Sequence, residues 1–279
     1  MFNLLNAEFY KLRKSKGIYI GILAAAALVL LLYGSLVMID KINQGELENG
    51  TGGVVVSQVG GSVEDGAAPE SMLKEIGVVG VLQQMFGGHF VGIITAVLVS
   101  IFVIREFSSG MIKNLVGKGY PRASIFLAKM VSTVVLTLVF EVAVAAVGVF
   151  LGMPFLGWEE FSATAWEDVA VYVGLQLLFG VVIAAIFMLA GELTRNLAAG
   201  ISVSIGVLLF STTLTAGLDL VFHGLERKPS EYWVLDLLSA CPITDFPSEF
   251  IVQSVLVSAV WFVIALALGM LHFQKADVK

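Results

Sequence analysis

"REFSSGMIKNLVGKGYPRASIFLAK", residues 105–129, separates two of the most apolar runs in a chain of 279 residues. It holds five basic residues, Arg105, Lys113, Lys118, Arg122 and Lys129, against one acid, Glu106. The runs on either side, 79–104 and 125–151, each exceed the roughly 20 apolar residues that an α-helix needs to cross a hydrocarbon core. The segment therefore reads as a basic connection between two membrane-crossing helices.

Four further blocks have the same character, about 18–39, 168–190, 197–218 and 250–271. The chain is 58% hydrophobic and 14% charged, whereas soluble domains run near half apolar and a quarter charged. The blocks are helix-length, unlike the alternating segments of about ten residues that build an outer-membrane barrel. The reading is an all-α integral membrane protein, a single transmembrane domain over 1–279 with six transmembrane helices. The first block follows Lys11, Arg13, Lys14 and Lys16 as a secretory signal would. With about 22 apolar residues and no small-residue cleavage site before Asp40, it reads as a retained span. Cys241 is the single cysteine, so no intrachain disulfide can form.

Basic residues next to short loops favour the cytoplasm, and acids weigh little in that rule. With the N-terminus inside, the inner segments hold 12 of the 16 basic residues, so both termini are expected in the cytoplasm. Seventeen of the 22 acids then fall outside, four inside (Glu8, Glu106, Glu192 and Asp277), and Glu141 lies within a span. The pI of 5.1 thus reflects the outer loops. The basic residues hug span ends and form no separate basic module, so nucleic-acid binding is not expected.

Residues 1–16 read as an interfacial segment, with 2–14 an amphipathic helix carrying Phe2, Leu5, Phe9 and Leu12 on one stripe and Leu4 off it. Residues 40–78 read as a glycine-rich outer loop without a core of its own. Residues 152–167 join spans three and four, with Trp158 and Trp166 suited to an interfacial belt. "GELTRN", 191–196, joins spans four and five. Residues 219–249 form an outer re-entrant segment in which Leu220, Val221, Phe222, Val234, Leu235, Leu237 and Leu238 predict short helices against the membrane. Small-xxx-small pairs at Gly17/Gly21, Gly88/Gly92 and Gly148/Gly152 permit close helix approach.

The chemistry of an enzyme is absent from the sequence. There is no GxxxxGK[ST] phosphate loop: around Gly117-Lys118, Ile112 stands where the first glycine would be and Gly119 where Ser or Thr would be. His89, His223 and His272 are too scattered for a metal cluster, and no metal site or cofactor is expected in this chain. Two ionisable residues lie within the apolar blocks, Glu141 in span three and His89 in the "GGHFVG" of span two. Charge in hydrocarbon is costly, which makes both candidates for a substrate path or for contact with one another. The alternative, which the residues favour, is a protonated or hydrogen-bonded glutamate that stabilises helix packing and a histidine in a glycine-made gap.

Read as a helix continuing from span two, 105–116 puts Glu106 in its first polar turn, where an acid suits the helix dipole. Phe107, Met111 and Leu115 share one face; Glu106, Gly110 and Lys113 share another. Gly117 and Gly119 stop the helix, and Pro121 suits the start of the next. A short cytoplasmic helix with an apolar face and charged flanks, Arg105 included, is suited to docking a soluble partner.

The segment resembles the stretch after the second span in ABC-2 type permeases, the membrane subunits of ATP-binding-cassette exporters: an arginine–glutamate pair at Arg105-Glu106, a glycine at Gly110, then "IKNL", glycine, an arginine and "IFLAK". "LLNAEFYKLRKSKGIYIG" near the N-terminus and 219–249 are similar to that family's interfacial helix and re-entrant helices. The resemblance is to small bacterial permeases of the bacitracin- and lantibiotic-resistance kind. It implies a multi-pass subunit of the bacterial plasma membrane that pairs with a second permease copy, as a homodimer or heterodimer. It also implies docking of a separate ABC ATPase, which binds ATP and Mg, on a coupling helix over 105–118. Arg105, Glu106, Phe107, Gly110, Met111, Lys113 and Leu115 would then form the ATPase-docking set. The cargo would be an antimicrobial peptide, drug or other amphiphile. Two readings compete: a proton- or cation-coupled secondary transporter using Glu141 and His89, and a non-transporting membrane immunity protein.

Overall fold

The computed structural model describes residues 2–48, 72–108, 110–156, 161–162, 164–222, 224, 227–242 and 245–275. Among these residues the chain is almost wholly helical. Six helices are long and apolar enough to cross a membrane.

Helix α1 is Phe2–Lys14, and a single residue separates it from α2, Lys16–Glu48. Helix α2 presents Gly21, Ala25, Val29 and Tyr33 inward at every fourth position, all buried. The region read as a 40–78 loop is shorter than expected. Helix α2 continues to Glu48 and α3 opens at Met72, while the remainder, 49–71, lies outside the described residues.

Span two is not one helix. Helix α3, Met72–Phe86, ends at a turn through Gly87 and Gly88, and α4, Phe90–Ser108, begins after His89. His89 holds the left-handed conformation at φ 64°, which residues other than glycine adopt uncommonly. The break falls in the polar dip from Gln83-Gln84 to His89, which the reading of 79–104 as one span passes over. A short α5, Met111–Gly117, is followed by α6, Arg122–Leu156. Helix α7, Trp166–Thr194, and α8, Leu197–Val221, form the next pair. The expected 191–196 loop contracts to a two-residue turn. Arg195 is left-handed at φ 49°, and the Asn196 side chain accepts from the Ala198 amide at 3.0 Å, capping α8. Beyond α8 come a 3-10 turn, Pro229–Tyr232, and α9, Val234–Ser239, before the last helix, α10, Ser248–Lys275. Trp158 and His223 lie outside the described residues.

Helix α7 is the central post. Tyr172, Gln176, Phe179, Ala184, Ala185, Phe187 and Met188 are fully buried along it, and α4, α6, α8, α9 and α10 all pack against it. In a bilayer, lipid tails satisfy apolar surface as well as another helix does, so close packing and polar contacts hold spans together. The glycine pair Gly148/Gly152 supplies such packing. A Cβ on Gly148 would come within 2.8 Å of Leu82, and one on Gly152 within 2.8 Å of the Tyr33 hydroxyl. That hydroxyl donates to the Gly148 carbonyl at 3.1 Å, tying α2 to α6. These small residues serve contacts within one chain.

At the end of the bundle opposite α1, α9 buries Val234, Leu235, Leu237 and Leu238. Leu220, Val221 and Phe222, grouped with them in the sequence reading, are instead exposed, the first two lying in the last turn of α8. Trp261 of α10 donates from Nε1 to the Tyr232 carbonyl at 2.8 Å and meets Trp233 edge-on at 4.7 Å.

Candidate functional site

The segment from Arg105 to Lys129 folds as two helix ends and a hairpin. Gly110 adopts φ 68° and Gly119 φ 82°, a conformation that side-chain-bearing residues reach only at a cost. Gly110 therefore ends the run of α4, and α5 starts afresh in another direction. The continuous 105–116 helix is not formed, and the placement of Glu106 in a first turn is overturned. Glu106 occupies the last turn of α4, where the dipole disfavours an acid. Its stabilisation comes from elsewhere.

Glu106 is 7% exposed and faces into the protein. Its Oε1 accepts from the Lys11 ammonium of α1 at 2.9 Å, and its Oε2 is ion-paired with Lys129 of α6. Lys11 also donates to Glu8 Oε1 at 2.6 Å, and Lys129 lies 3.6 Å from Glu8 Oε2. Two acids and two bases thus alternate in a closed ring that joins α1, α4 and α6. Lys129 is 5% exposed and also sits 4.6 Å from the centre of the Phe102 ring. Burial pulls the Lys11 ammonium toward the neutral form, but its hydrogen bonds to Glu8 and Glu106 outweigh this, and its pKa stands above the ordinary lysine value.

The ring explains why α1 turns an unexpected face inward. Leu4, Glu8 and Leu12 are buried, one helical turn apart. Of the expected stripe, only Leu12 is buried; Leu5 is half-buried and Phe9 is 39% exposed. The side chain of Phe2 lies outside the described residues. Rotating Leu5 and Phe9 fully inward would carry Glu8 away from Lys129.

Beside the ring, Phe107 meets Phe273 edge-on at 6.2 Å, Phe273 packs on Phe126 at 6.0 Å, and the Arg195 guanidinium lies 5.8 Å from the Phe107 ring. Arg122 donates to the Gln274 carbonyl at 2.9 Å. The ends of α1, α4, α6, α7 and α10 thus converge here. Of the expected docking set, Arg105, Met111 and Lys113 are exposed, Phe107, Gly110 and Leu115 half-buried, and Glu106 buried. In α5 itself only Ile112 is buried.

His89 and Glu141 are not brought together. Glu141 is buried, with its carboxylate over the bare backbone of Gly180 on α7, and its Oε2 has no hydrogen-bond partner among the described residues. A Cβ on Gly180 would overlap that carboxylate. Gly180→Ala is therefore expected to cost about 1–3 kcal/mol. The Gly180→Ala/Glu141→Ala double should be less destabilised than the two single effects combined, whereas Glu141→Gln should give no such relief. Strict additivity in thermal unfolding would contradict the contact.

His89 instead lines a cavity of about 850 Å³ at the α9 end, with Asp219, Asp236, Glu231, Glu249 and Gln253.

Among the described residues, no group of three or more His, Cys, Asp or Glu side chains could hold a metal. The sequence named Glu106 but missed its partners Glu8, Lys11 and Lys129. The signal was present: Glu8 and Glu106 are two of only four acids on the strongly basic side of the charge map.

No curated protein matches the chain. The family model described as "ABC-2 family transporter protein" matches residues 4–212, a range that takes in most of α1, the ionic ring, the α5 hairpin, the first four long apolar helices and the greater part of the fifth. Matched over most of its length by that model and built of six helices long and apolar enough to cross a membrane, this chain belongs to the ABC-2 transporter family as a membrane subunit.

Proposed function

We propose that this chain is the permease of an ATP-driven exporter, and that its α5 hairpin docks a separate ABC ATPase carrying ATP and Mg. The observation that carries the reading is the family match over 4–212, on a chain whose sequence has no phosphate loop. Permease membership calls for an ATPase partner, and the exposed hairpin residues Met111 and Lys113 offer that partner a surface. The charge map supports placing the hairpin and both termini in the cytoplasm of a bacterial cell. A second permease copy completes the path. The acid-lined cavity at the opposite end favours cationic amphiphiles, antimicrobial peptides among them, as cargo.

Affinity purification of the tagged permease from its own cells, with the co-purifying proteins identified by mass, tests the reading. The ATPase should co-elute and hydrolyse ATP. Met111→Arg should lower its recovery about tenfold, the size of one lost interface contact of about 1.4 kcal/mol, with no change in the permease's own unfolding temperature. Recovery of the permease alone, with export of a cationic peptide unaffected by ATP depletion, would overturn it.

A further inference from the structure

The three described acids from the basic side of the charge map, Glu8, Glu106 and Glu192, are all buried, at 5%, 7% and 2% exposure. A solvated basic face would leave its few acids in water. Here they are withdrawn into the junction of α1, α4, α6 and α7, and Lys129 sits between two of them. Glu192, on α7, reaches toward α10, where a Cβ on Gly269 would stand 3.4 Å from its Oε2.

The contacts joining these helices differ in how they respond to displacement. Apolar side chains sliding past one another in a bilayer exchange protein contacts for lipid contacts at little cost. An edge contact such as Phe107–Phe273 can also shift along the ring. A buried ion pair cannot: separating Glu106 from Lys129 leaves Glu106 with only the half-exposed Lys11, and Lys129 with only Glu8 at 3.6 Å, in a low-dielectric setting. When the end of α4 moves, Lys129 must therefore move with it and carry α6, and Glu8 and Lys11 carry α1. The hairpin at 111–119 hangs from that same end of α4, beyond Gly110.

From this we infer that Lys129 is a positioning residue of the transport cycle, through which displacement of the α5 hairpin becomes a joint movement of α1, α4 and α6. The inference rests on the ATPase-coupled reading above. It assigns Glu106 to force transmission within the permease and leaves partner contact to the exposed residues of the hairpin.

The test uses the full permease with its ATPase bound, in lipid nanodiscs. Nitroxides at Phe150→Cys and Val221→Cys, two exposed positions toward the far ends of α6 and α8, report the far-end distance without nucleotide and with ATP plus vanadate. Native Cys241 is 1% exposed and stays unlabelled. The variant of record is Glu106→Gln/Lys129→Met, which removes one charge of each sign and keeps the side-chain volumes.

The wild type should show a nucleotide-dependent shift. The double variant should bind the ATPase and hydrolyse ATP within about twofold of wild type, while its shifted population falls at least about tenfold, within the usual range of site-to-site coupling. Lys129→Arg should keep the shift within about twofold. A wild-type shift in the double variant overturns the inference. So does joint loss of hydrolysis and shift in a double variant that still unfolds at the wild-type temperature, because that places Lys129 in docking. Absence of any ATPase or any shift in the wild type defeats the ATPase-coupled reading itself, and the inference with it.

Discussion

Lys129→Met should destabilise the permease more than the Glu106→Gln/Lys129→Met double variant, although the double changes one residue more. The single change deletes one buried cation and leaves Glu8 and Glu106 facing each other with only Lys11 between them, and Lys11 is itself half-exposed. Removing one partner of a buried ion pair costs about 3–5 kcal/mol, whereas replacing both with uncharged groups of like volume is often neutral. Glu106→Arg belongs with the severe changes, since it sets a third base against Lys11 and Lys129. Thermal unfolding in nanodiscs, followed by tryptophan fluorescence, gives the ranking. If Lys129→Met unfolds at or above the temperature of the double variant, the ring is not a balanced set of charges.

Gly88→Ala should break the junction between α3 and α4. The Gly88 amide donates to the Gln84 carbonyl at 3.1 Å, and a Cβ on Gly88 would overlap that same oxygen. The obstacle is backbone, so it cannot swing aside as a side chain would. Relief requires opening the last turn of α3, at a cost of about 3 kcal/mol, the upper end for forced overpacking. The neighbouring Gly87 carbonyl accepts from the Ser239 hydroxyl of α9 at 3.3 Å, so opening the turn also loosens the helix next to buried Cys241. Maleimide labelling of Cys241 in the native state should accelerate about tenfold or more in Gly88→Ala, by the exposure that such a loss of local stability permits. An unchanged labelling rate, with wild-type unfolding, would show that the turn accepts a side chain.

The six-span layout was legible because hydrocarbon thickness imposes a length on every span, and the apolar blocks record that length directly. Ends were less legible: α2 runs on to Glu48 and α10 to Lys275 because helices continue through polar residues once backbone bonding is under way. The break at Gly87–His89 did leave a trace, the polar stretch that begins at Gln83-Gln84, but it is short and lies between two apolar halves. Gly87 and Gly88 also mark it, but from sequence Gly88 reads as half of a packing pair with Gly92. The ionic ring could not be assembled from spacing, because Glu8, Glu106 and Lys129 meet only after three separate helices dock. Its cost appears in the sequence as a missed face. The stripe Leu5–Phe9 is the better apolar choice for α1, yet α1 rotates to satisfy Glu8 and Lys11. Tertiary charge pairing outranked amphipathic pattern there.

The hairpin between α4 and α6 hangs between two left-handed glycines, Gly110 and Gly119, with a seven-residue helix between them. A helix of that length holds its shape in isolation only marginally, and here it leans on the rest of the protein chiefly through Ile112. Mechanically this is a short arm with a universal joint at each end. It can change its aim through soft backbone torsions without bending a span, and on the coupling inferred above a pull along its length reaches the charged ring at the end of α4. Such a linkage tolerates misalignment and still delivers load. On the proposed ATPase-coupled reading, a permease built this way can keep hold of a motor whose docking surface tilts during its own cycle.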